Sequence, residues 1–419
     1  MVPTPAMRRD PRTLEAALAG LDAQHLRRRR RTVESYLQAG SRVEAQVDGE
    51  HLVDFCGNDY LGLAHHPEIA SALASSASAC GTGSGAAHLV SGHGIEHARL
   101  EEAVAAFTGR ERALLFSTGY MANLAVITAL AGPGDLVLLD RLDHASLIDG
   151  ARLSGARFKR YPHNDAASAG RELQAGASDP ERTCLLATDG VFSMDGDLAP
   201  LPDLARACAA HQSWLVVDDA HGLGVVGSTG RGTLEHFGLA PTDVPLLVGT
   251  FGKAFGTFGA FVAGDRDVIE LLVQKARPYV YTTALPQALA AATRRALELA
   301  DRESWRRERV ATLTARFRKG AAERGIPLAT SRLTGATPIQ PVILGSPETA
   351  LRAQDQLLQA GFWVAAIRPP TVPPGSSRLR VTLSAAHSEA HVDALLDALA
   401  GACESVAATG RAAGAIPTS

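Results

Sequence analysis

Residues 244–260 read VPLLVGTFGKAFGTFGA, and one lysine, Lys253, lies in this apolar, glycine-rich run. The first half, VPLLVGTF, is typical of a buried strand because its apolar residues are continuous rather than alternating. No carboxylate occurs in the run, so Lys253 has no sequence neighbour that would pair with its charge. The position is unusual for this chain, in which 41 residues are Lys or Arg and the lysines are Lys159, Lys253, Lys275 and Lys319.

The identity of residue 253 indicates amine chemistry, because lysine can lose its proton in a protein and arginine cannot. A phosphate-binding loop would require GxxxxGK followed by Ser or Thr, but Leu247 and Ala254 occupy the first and last of these positions. A structural lysine, whose amine reaches water along an apolar surface, is the remaining alternative. This stretch alone leaves both interpretations open.

Further apolar stretches precede the lysine run and alternate with helical patterns. They are RALLFS (112–117), DLVLLDR (135–141), TCLLATDG (183–190) and SWLVVDDA (213–220). Continuous apolar strands separated by helices predict an α/β fold with a parallel sheet that is covered on both faces. Beyond about residue 286 the pattern changes to that of a smaller α+β domain.

We predict four segments from these changes in pattern. Residues 1–55 form an N-terminal helical segment and extension, and 56–290 form the large domain. Residues 291–403 form the C-terminal small domain. Residues 404–419 are rich in Gly, Ala and Ser and are expected to be a flexible tail.

The composition argues against several classes of protein. A net charge of −3 gives no reason to expect nucleic acid as a partner. No apolar leader and no long uncharged apolar run occurs, so we expect neither secretion nor a membrane span. The five cysteines form no CxxC pair, which fits a reducing compartment and predicts no metal site. The cytoplasm is the expected location.

Polar residues follow the predicted strands, where the carboxyl ends of parallel strands gather ligands. Ser117–Tyr120 begin a helix and suit a phosphate, although Ser-Thr is also an ordinary helix cap. Asp218 follows four apolar residues and should be largely buried. It is either a turn residue, a metal ligand with His221, or the partner of a cationic heterocycle, and no further ligand cluster supports the metal. Pyridoxal phosphate needs a phosphate site, an acid for its ring nitrogen and an amine for its aldehyde, which Ser117–Tyr120, Asp218 and Lys253 supply together.

Several longer motifs resemble those of the α-oxoamine synthases. They are NDYLGL (58–63), LVSGHGIEHARLE (89–101), HASLIDGA (144–151), TDGVFSMDGDLAPL (188–201), VVDDAHGLGVVG (216–227) and TFGKAFG (250–256). The resemblance covers about residues 12–400. It implies a fold-type-I pyridoxal phosphate transferase that has a mostly parallel seven-stranded sheet between helices. It also implies a homodimer with shared active sites, which condenses an amino acid with an acyl thioester and releases CO2.

AIRPPTVPPGSSRLRVTLSAAH (366–387) is similar to the branch of this family that joins L-alanine to a pimeloyl thioester in biotin biosynthesis. The acyl carrier is then coenzyme A or a carrier protein. Sister branches that use glycine or serine with other acyl groups stay open, as does a non-catalytic cofactor-binding protein on the same fold. Intact Lys253, Asp218, His144 and Arg368 argue against the last alternative.

The resemblance implies roles for residues around the cofactor. Lys253 forms the Schiff base, Asp218 pairs with the ring nitrogen, and His144 stacks on the ring. The remaining cofactor contacts are His221 and Ser193 beside the phenolic oxygen, Gly119, Tyr120 and Thr250 at the phosphate, and Thr283 from the other chain. The catalytic residues among all of these are Lys253, His144, Asp218 and His221.

The resemblance also implies roles toward the substrates. Asn58, His144 and Thr371 contact substrate, and Arg368 binds the amino-acid carboxylate. Arg27 binds the terminal carboxylate of the acyl chain, although five consecutive arginines (27–31) leave the register open. We assign no role to His88, and we expect His93 and His97 to be structural.

Overall fold

The structure is a computed structural model and describes residues 11–37, 41–329 and 337–414. Its strands are β1 (Val33–Tyr36), β2 (Glu44–Val47), β3 (Glu50–Asp54), β4 (Arg112–Phe116), β5 (Leu136–Asp140), β6 (Arg157–Tyr161), β7 (Cys184–Asp189), β8 (Trp214–Asp218), β9 (Leu246–Thr250), β10 (Ala260–Gly264), β11 (Ile339–Gly345), β12 (Phe362–Trp363), β13 (Ala365–Ile367) and β14 (Ser377–Thr382).

The helices lie between these strands. They are α1 (Pro11–Ala23), α2 (Pro67–Cys80), α3 (Ile95–Thr108), α4 (Gly119–Leu130), α5 (Ala145–Ser154), α6 (Ala166–Gly176), α7 (Leu201–Ala210), α8 (Thr233–Phe237), α9 (Arg266–Lys275), α10 (Arg277–Val280), α11 (Gln287–Arg302), α12 (Trp305–Glu323), α13 (Pro347–Gln359) and α14 (Glu389–Gly414), with a π-helical turn at His88–Gly92.

A seven-stranded sheet with the order β4-β10-β9-β8-β7-β5-β6 forms the centre of the fold. The strands from β9 to β6 in that order pair in parallel, and β10 pairs antiparallel with both β9 and β4. This confirms the predicted α/β fold with a mostly parallel sheet. The sequence did not predict β6, whose RFKRY is charged and lies at the sheet edge, or β10, which returns directly after the lysine run.

Both faces of the sheet are covered by helices, as continuous apolar strands require. In β4, Leu115 belongs to the apolar core that includes α3 and α11, whereas Leu114 and Phe116 belong to the core that includes α4 and α9. Alternate side chains of a strand point to opposite faces, so a strand that is apolar throughout can supply both cores.

The rest of the chain forms two smaller sheets, β1-β2-β3-β12 and β11-β14-β13. Helices α12, α13 and α14 pack together with the second of these around their own apolar core. We propose the domain limits at residues 55, 290 and 403. Helix α11 crosses the second limit and packs against α2 and α3, and α14 continues beyond the third limit to Gly414. None of the helices in the described ranges is both long and apolar enough to cross a membrane.

Candidate active site

A cavity of about 190 Å³ opens at the carboxyl ends of β7, β8 and β9, beside the first turn of α4. Eight of the sequence-predicted residues line it: Gly119, Tyr120, His144, Ser193, Asp218, His221, Thr250 and Lys253. The others on its wall are Asn123, Asp189 and Ala220. The sheet therefore brings together residues that are separated by up to 134 positions, from 119 to 253, as the strand-end argument predicted.

Lys253 lies in a tight loop between β9 and β10. The fully buried rings of Phe251 and Phe255 anchor the loop on both sides of the lysine. Gly256 has a φ of +66°, and a Cβ at this position would lie 2.3 Å from the backbone nitrogen of Ala64, so only glycine fits. The apolar neighbours thus fix the backbone on which the amine is presented.

Burial lowers the pKa of Lys253 to about 8, although the charges of Asp218 and Asp189 oppose the shift. The positive charge of Arg380 lowers the pKa of the amine further. A lysine with this pKa has a substantial fraction of free amine near neutral pH, and only the free amine is a nucleophile or a base.

The Asp218 carboxylate is buried at the end of β8 and is held from two sides. Its Oδ2 accepts a 2.6 Å hydrogen bond from the side-chain amide of Asn123, and its Oδ1 accepts one from the backbone N–H of Ala220 at 3.0 Å. These two hydrogen bonds compensate the buried carboxyl group for the water it has lost and fix its orientation.

Asn123 also connects Asp218 to His144. Its amide nitrogen donates to the hydroxyl of Ser146 at 2.9 Å, and that hydroxyl lies 2.7 Å from Nδ1 of His144. Nδ1 also accepts from the backbone N–H of Ser146, so it carries no proton and the ring's proton is on Nε2. Burial lowers the pKa of His144, which keeps the ring neutral with one donor free for a ligand.

His221 is buried on the same wall, with Nδ1 2.7 Å from the hydroxyl of Tyr60. Burial and the charge of Lys253 hold the pKa of His221 well below its usual range, so this ring is also neutral. The Tyr60 hydroxyl donates to the side-chain carbonyl of Asn58 at 3.1 Å. Asn58 thereby reaches the site through Tyr60, although it does not line the cavity itself.

Arg380 in β14 connects the sheet β11-β14-β13 to the cavity through hydrogen bonds. Its Nε donates to the backbone carbonyl of Ser193 at 2.6 Å, and its two other nitrogens lie 3.2 and 3.3 Å from Oδ1 of Asn58. The guanidinium is 5% exposed, so these bonds are made in a buried setting where they hold both residues firmly. The SRLRVTLS stretch carries two arginines in a buried strand, which is the signal that would have identified Arg380 from the sequence.

The opposite end of the cavity is formed by the N-terminus of α4. The hydroxyl of Thr118 caps this helix by accepting from the N–H of Met121 at 3.2 Å. Gly119 begins the helix and faces Thr250. A Cβ added at position 119 would lie 3.9 Å from the Cβ of Thr250. First-turn N–H groups with the positive end of a helix dipole form a site for a phosphate.

This set of groups fits pyridoxal phosphate. The α4 N-terminus with Thr250 suits the phosphate, and Lys253 suits the aldehyde. The Asp218 carboxyl group, which two hydrogen bonds hold in place, suits the ring nitrogen. Neutral His144 and His221 add no charge that would oppose a bound cationic ring.

Two buried carboxylates, one on the wall of the cavity and one behind it, were not predicted from the sequence. Asp189 accepts from the backbone N–H of His144 at 3.0 Å, and its own N–H donates to Asp143 at 3.0 Å. Burial and the negative charges of neighbouring carboxylates raise the pKa of both side chains well above the usual range. Asp189 ends its apolar strand just as Asp218 does, so the same strand-end argument would have found it.

Two of the predicted substrate residues lie in a second cavity of about 380 Å³, whereas His144 lines the first cavity and neither Asn58 nor Thr371 lines this one. Arg27 and Arg368 line it together with Arg29, Arg31, Asp22 and His25, among others. Arg27 forms a 2.6 Å ion pair with Asp22, and Arg368 donates to the backbone carbonyl of His25. Arg28, rather than Arg27, donates to the hydroxyl of Thr371, at 3.1 Å. The structure therefore shows a contact between Arg28 and Thr371 that could not be predicted from the sequence.

Thr283 is exposed and does not line the cofactor cavity of its own chain. It forms an isolated bridge with Ala87. A contribution of Thr283 to the site of a second chain stays a prediction.

Comparison with known proteins agrees with this geometry. Residues 50–399 match the model of the aminotransferase class I and II family. The fold and the site thus define a fold-type-I, pyridoxal-phosphate-dependent transferase.

The sequence comparison identifies the family more closely. The chain is 57% identical over 376 residues to an 8-amino-7-oxononanoate synthase of Stutzerimonas stutzeri, covering 90% of this chain and 93% of that one. It is 57% identical over 378 residues to one of Thioalkalivibrio sulfidiphilus, covering 90% and 94%. The chain belongs to the 8-amino-7-oxononanoate synthase family, which confirms the resemblance seen in its motifs.

Solved structures show the same fold. A serine palmitoyltransferase of Sphingomonas wittichii matches with a TM-score of 0.87 and 32% identity, over 97% of this chain and 98% of that one. The 8-amino-7-oxononanoate synthase of Francisella tularensis matches with a TM-score of 0.72 and 29% identity, over 84% and 98%.

Proposed function

We propose that this protein condenses L-alanine with a pimeloyl thioester to form 8-amino-7-oxononanoate, CO2 and a free thiol, as a cytoplasmic enzyme of biotin biosynthesis. The observation that carries the proposal is the convergence of Lys253, Asp218, His144 and His221 on one cavity at the N-terminus of α4. The name of the curated relatives supports the product, and the family resemblance supports alanine as the amino acid.

Bound pyridoxal phosphate supplies an electron sink for negative charge that develops at the α-carbon of the amino acid. Asp218 would keep the ring nitrogen protonated, and Asn123 orients that carboxylate through its 2.6 Å hydrogen bond. Each unit by which Asp218 raises the pKa of the ring nitrogen corresponds to about 1.36 kcal/mol. The strength of the electron sink is therefore set by a carboxylate whose orientation is fixed by α4.

Lys253 is the group that would move the α-proton. Its pKa of about 8 lies close to the pH of the cell interior, where a base has both the correct protonation state and adequate strength. The anchored loop holds the amine at the carboxyl end of β9, where it would be able to reach the α-carbon of a bound amino acid.

His144 is suited to polarise the thioester. Its Nδ1 is occupied by Ser146, and its Nε2 carries the proton. A neutral imidazole with a free N–H can donate to the thioester oxygen as negative charge develops there. The Ser146–Asn123 link makes the orientation of His144 depend on the same amide that holds Asp218.

Arg368 would bind the carboxylate of alanine. Burial and the nearby charge of Arg28 lower the pKa of the Arg368 guanidinium, so two cations lie close together at this position. An arginine can bind a carboxylate through two parallel hydrogen bonds, and a bound anion would offset the repulsion from Arg28. Arg368 is therefore suited to the carboxylate of alanine, and Arg28 beside it is left for a second anionic group.

We also propose that the active enzyme is a homodimer whose sites are shared, with Thr283 contributing to the phosphate site of the other chain. The exposed position of Thr283 outside its own cavity supports this arrangement. The acyl donor is pimeloyl-coenzyme A or a pimeloyl carrier protein.

Product analysis by mass spectrometry tests the proposal. The enzyme is offered alanine, glycine or serine with pimeloyl, acetyl, succinyl or palmitoyl thioesters, and we expect 8-amino-7-oxononanoate from alanine and the pimeloyl donor as the main product. The structural match to serine palmitoyltransferase makes serine with the palmitoyl donor the principal competing reaction. A dominant product from that pair would overturn the proposed substrates but not the cofactor chemistry.

The arginine run gives a prediction about the acyl chain. A pimeloyl group ends in a carboxylate, and burying it without a cation is costly. Because Arg28 reaches Thr371 while Arg27 is paired with Asp22, Arg28→Ala should raise KM for the pimeloyl donor by roughly 10- to 100-fold, from about 1.5–3 kcal/mol for a hydrogen bond to a charged group. Steady-state kinetics with an uncharged acyl chain of equal length provide the comparison.

Arg27→Ala is the matched control for that measurement, since it removes the same charge one residue away. A selective loss for the charged chain in Arg27→Ala alone would restore the assignment that the family resemblance implies. Equal losses for both chains in Arg28→Ala would mean that the arginine serves the coenzyme A phosphates or the fold.

A further inference from the structure

Three histidines converge outside the cofactor cavity. His88 begins the π-helical turn, His93 lies in the link that follows, and His97 lies in the first turn of α3. One ring nitrogen from each lies within 4.8 Å of those from the others. None of the three residues lines the proposed active site.

The spacing of the ring nitrogens suits coordination of one metal ion that the rings share. Nδ1 of His88 lies 3.0 Å from Nδ1 of His93. Two imidazole nitrogens that each lie about 2.0–2.1 Å from one Zn²⁺ ion, at angles of 90–110°, are separated by about 3.0–3.4 Å. The observed separation is therefore also that of two ligands on one ion.

The outer nitrogens of two of these rings face groups that orient metal-binding imidazoles. Nε2 of His97 lies 2.6 Å from the backbone carbonyl of Leu285, so its proton is held there and Nδ1 keeps its lone pair. Nε2 of His93 lies 4.0 Å from a carboxylate oxygen of Glu101. Histidine ligands usually donate their second N–H to a carbonyl or a carboxylate, as His97 does here, whereas the 4.0 Å gap at His93 is too long for a direct hydrogen bond.

The plane of one of the three rings is also fixed by packing. The ring of Tyr279 stacks on His88 with centroids 4.9 Å apart, which fixes the plane of that imidazole.

We propose that His88, His93 and His97 bind one divalent transition-metal cation of the class that prefers imidazole, represented by Zn²⁺. Zn²⁺, Cu²⁺ and Ni²⁺ suit such a nitrogen set, whereas Mg²⁺ and Ca²⁺ require oxygen ligands. The ion displaces the hydrogen bond that Nδ1 of His97 accepts from the backbone N–H of Gly94 at 2.9 Å. Loss of that bond makes the site weaker than a fully preorganised zinc centre.

A second group of possible metal ligands in the described residues consists of His66, Glu68 and Glu303. We do not expect this group to bind a metal ion. Its two carboxylates are hydrogen-bonded to Arg302, and Glu303 also to Arg306. Nδ1 of His66 accepts from the backbone N–H of Glu68. The carboxylates of this cluster are already bound by arginines, which would repel a cation.

Metal binding at the histidines has a structural consequence. The segment around His88 pairs with the segment that carries Thr283, through the Ala87–Thr283 bridge and the hydrogen bond from Ala284 to Ala86. His97 contacts the same segment at Leu285. A bound ion stabilises this pairing and therefore the position of Thr283.

The holoenzyme, freed of adventitious metal with a chelator and dialysed, is titrated with ZnCl2 in a calorimeter. We expect one Zn²⁺ per chain and a rise in the thermal midpoint with zinc. His93→Gln, at the exposed position of the cluster, should weaken binding by about 100-fold or more, since loss of even an outer-shell partner costs 10- to 100-fold. Co²⁺ should give visible absorption bands in the wild type and lose them in the variant.

His66→Gln is the matched control, because it removes a histidine from the cluster whose ligand atoms are occupied. Cofactor absorbance and the melting curve without zinc establish that each variant is folded. Failure of the wild type to bind Zn²⁺, or binding by His93→Gln as strong as that of the wild type, would show that the three rings are only a packed hydrogen-bonding group.

Discussion

Lys253→Ala is expected to abolish turnover and to remove the covalent link between protein and cofactor. The variant keeps the cavity and its phosphate site but has no amine beyond the carboxyl end of β9. It loses both the group that binds the aldehyde and the group that moves the α-proton, so activity should fall by several orders of magnitude. The wild-type protein should be yellow and should retain the cofactor after borohydride reduction and denaturation.

Lys275→Ala is the control for this experiment, because Lys275 is an exposed residue at the end of α9. Peptide mapping of the reduced wild type should place the modified lysine at residue 253. A modified peptide that contains Lys275 instead, or normal turnover of Lys253→Ala, would overturn the assignment on which the proposed mechanism rests.

The position of Lys253 was predictable because the cause is local. A continuous apolar strand is buried in a parallel sheet, and its carboxyl end lies at the edge of the sheet where ligands bind. A polar residue at that end is therefore a candidate for ligand binding. The same argument identified Asp218 and His144. It applied equally to Asp189, whose strand ends in the same way and which lies in the motif TDGVFSMDGDLAPL, but the sequence analysis gave that residue no role.

Asn123 was not predictable in this way. It lies inside α4, in GYMANLAVITAL, where nothing in the local sequence distinguishes it from a solvent-facing polar residue. Its importance comes from packing, which brings the first turns of α4 against the end of β8 and places the amide between Asp218 and Ser146. Arg380 is similar, since its contacts to Ser193 and Asn58 join parts of the chain more than 180 residues apart.

The sequence left the register of the proposed substrate arginine open for a different reason. Residues 27–31 are chemically identical, so no pattern within them selects a register. These residues follow the end of α1 in irregular backbone, so no helical or strand periodicity separates them. Only the tertiary contact of Arg28 with Thr371 separates it from its neighbours.

Asp218→Asn is expected to reduce kcat by at least about 100-fold while the protein stays folded. An amide in place of the carboxylate cannot keep the ring nitrogen protonated, so the cofactor is a weaker electron sink. A loss of two units in the pKa of that nitrogen corresponds to about 2.7 kcal/mol, or about 100-fold in rate if it is fully expressed in the transition state. The new amide would also face the amide of Asn123, which disturbs the link to His144.

Asp219→Asn, one residue away, should behave differently. Asp219 is fully buried against glycines, and its Oδ2 accepts from the backbone N–H of Thr233 at 2.7 Å. Burial raises the pKa of Asp219 to about 8, so the side chain is protonated at neutral pH, and an amide resembles a protonated acid in shape and charge. We therefore expect Asp219→Asn to keep turnover within a few-fold of the wild type, with its effect confined to stability. Stopped-flow and steady-state kinetics on both variants compare the two positions directly, and an inactive Asp219→Asn beside a near-normal Asp218→Asn would mean that the neighbouring carboxylate is the partner of the ring.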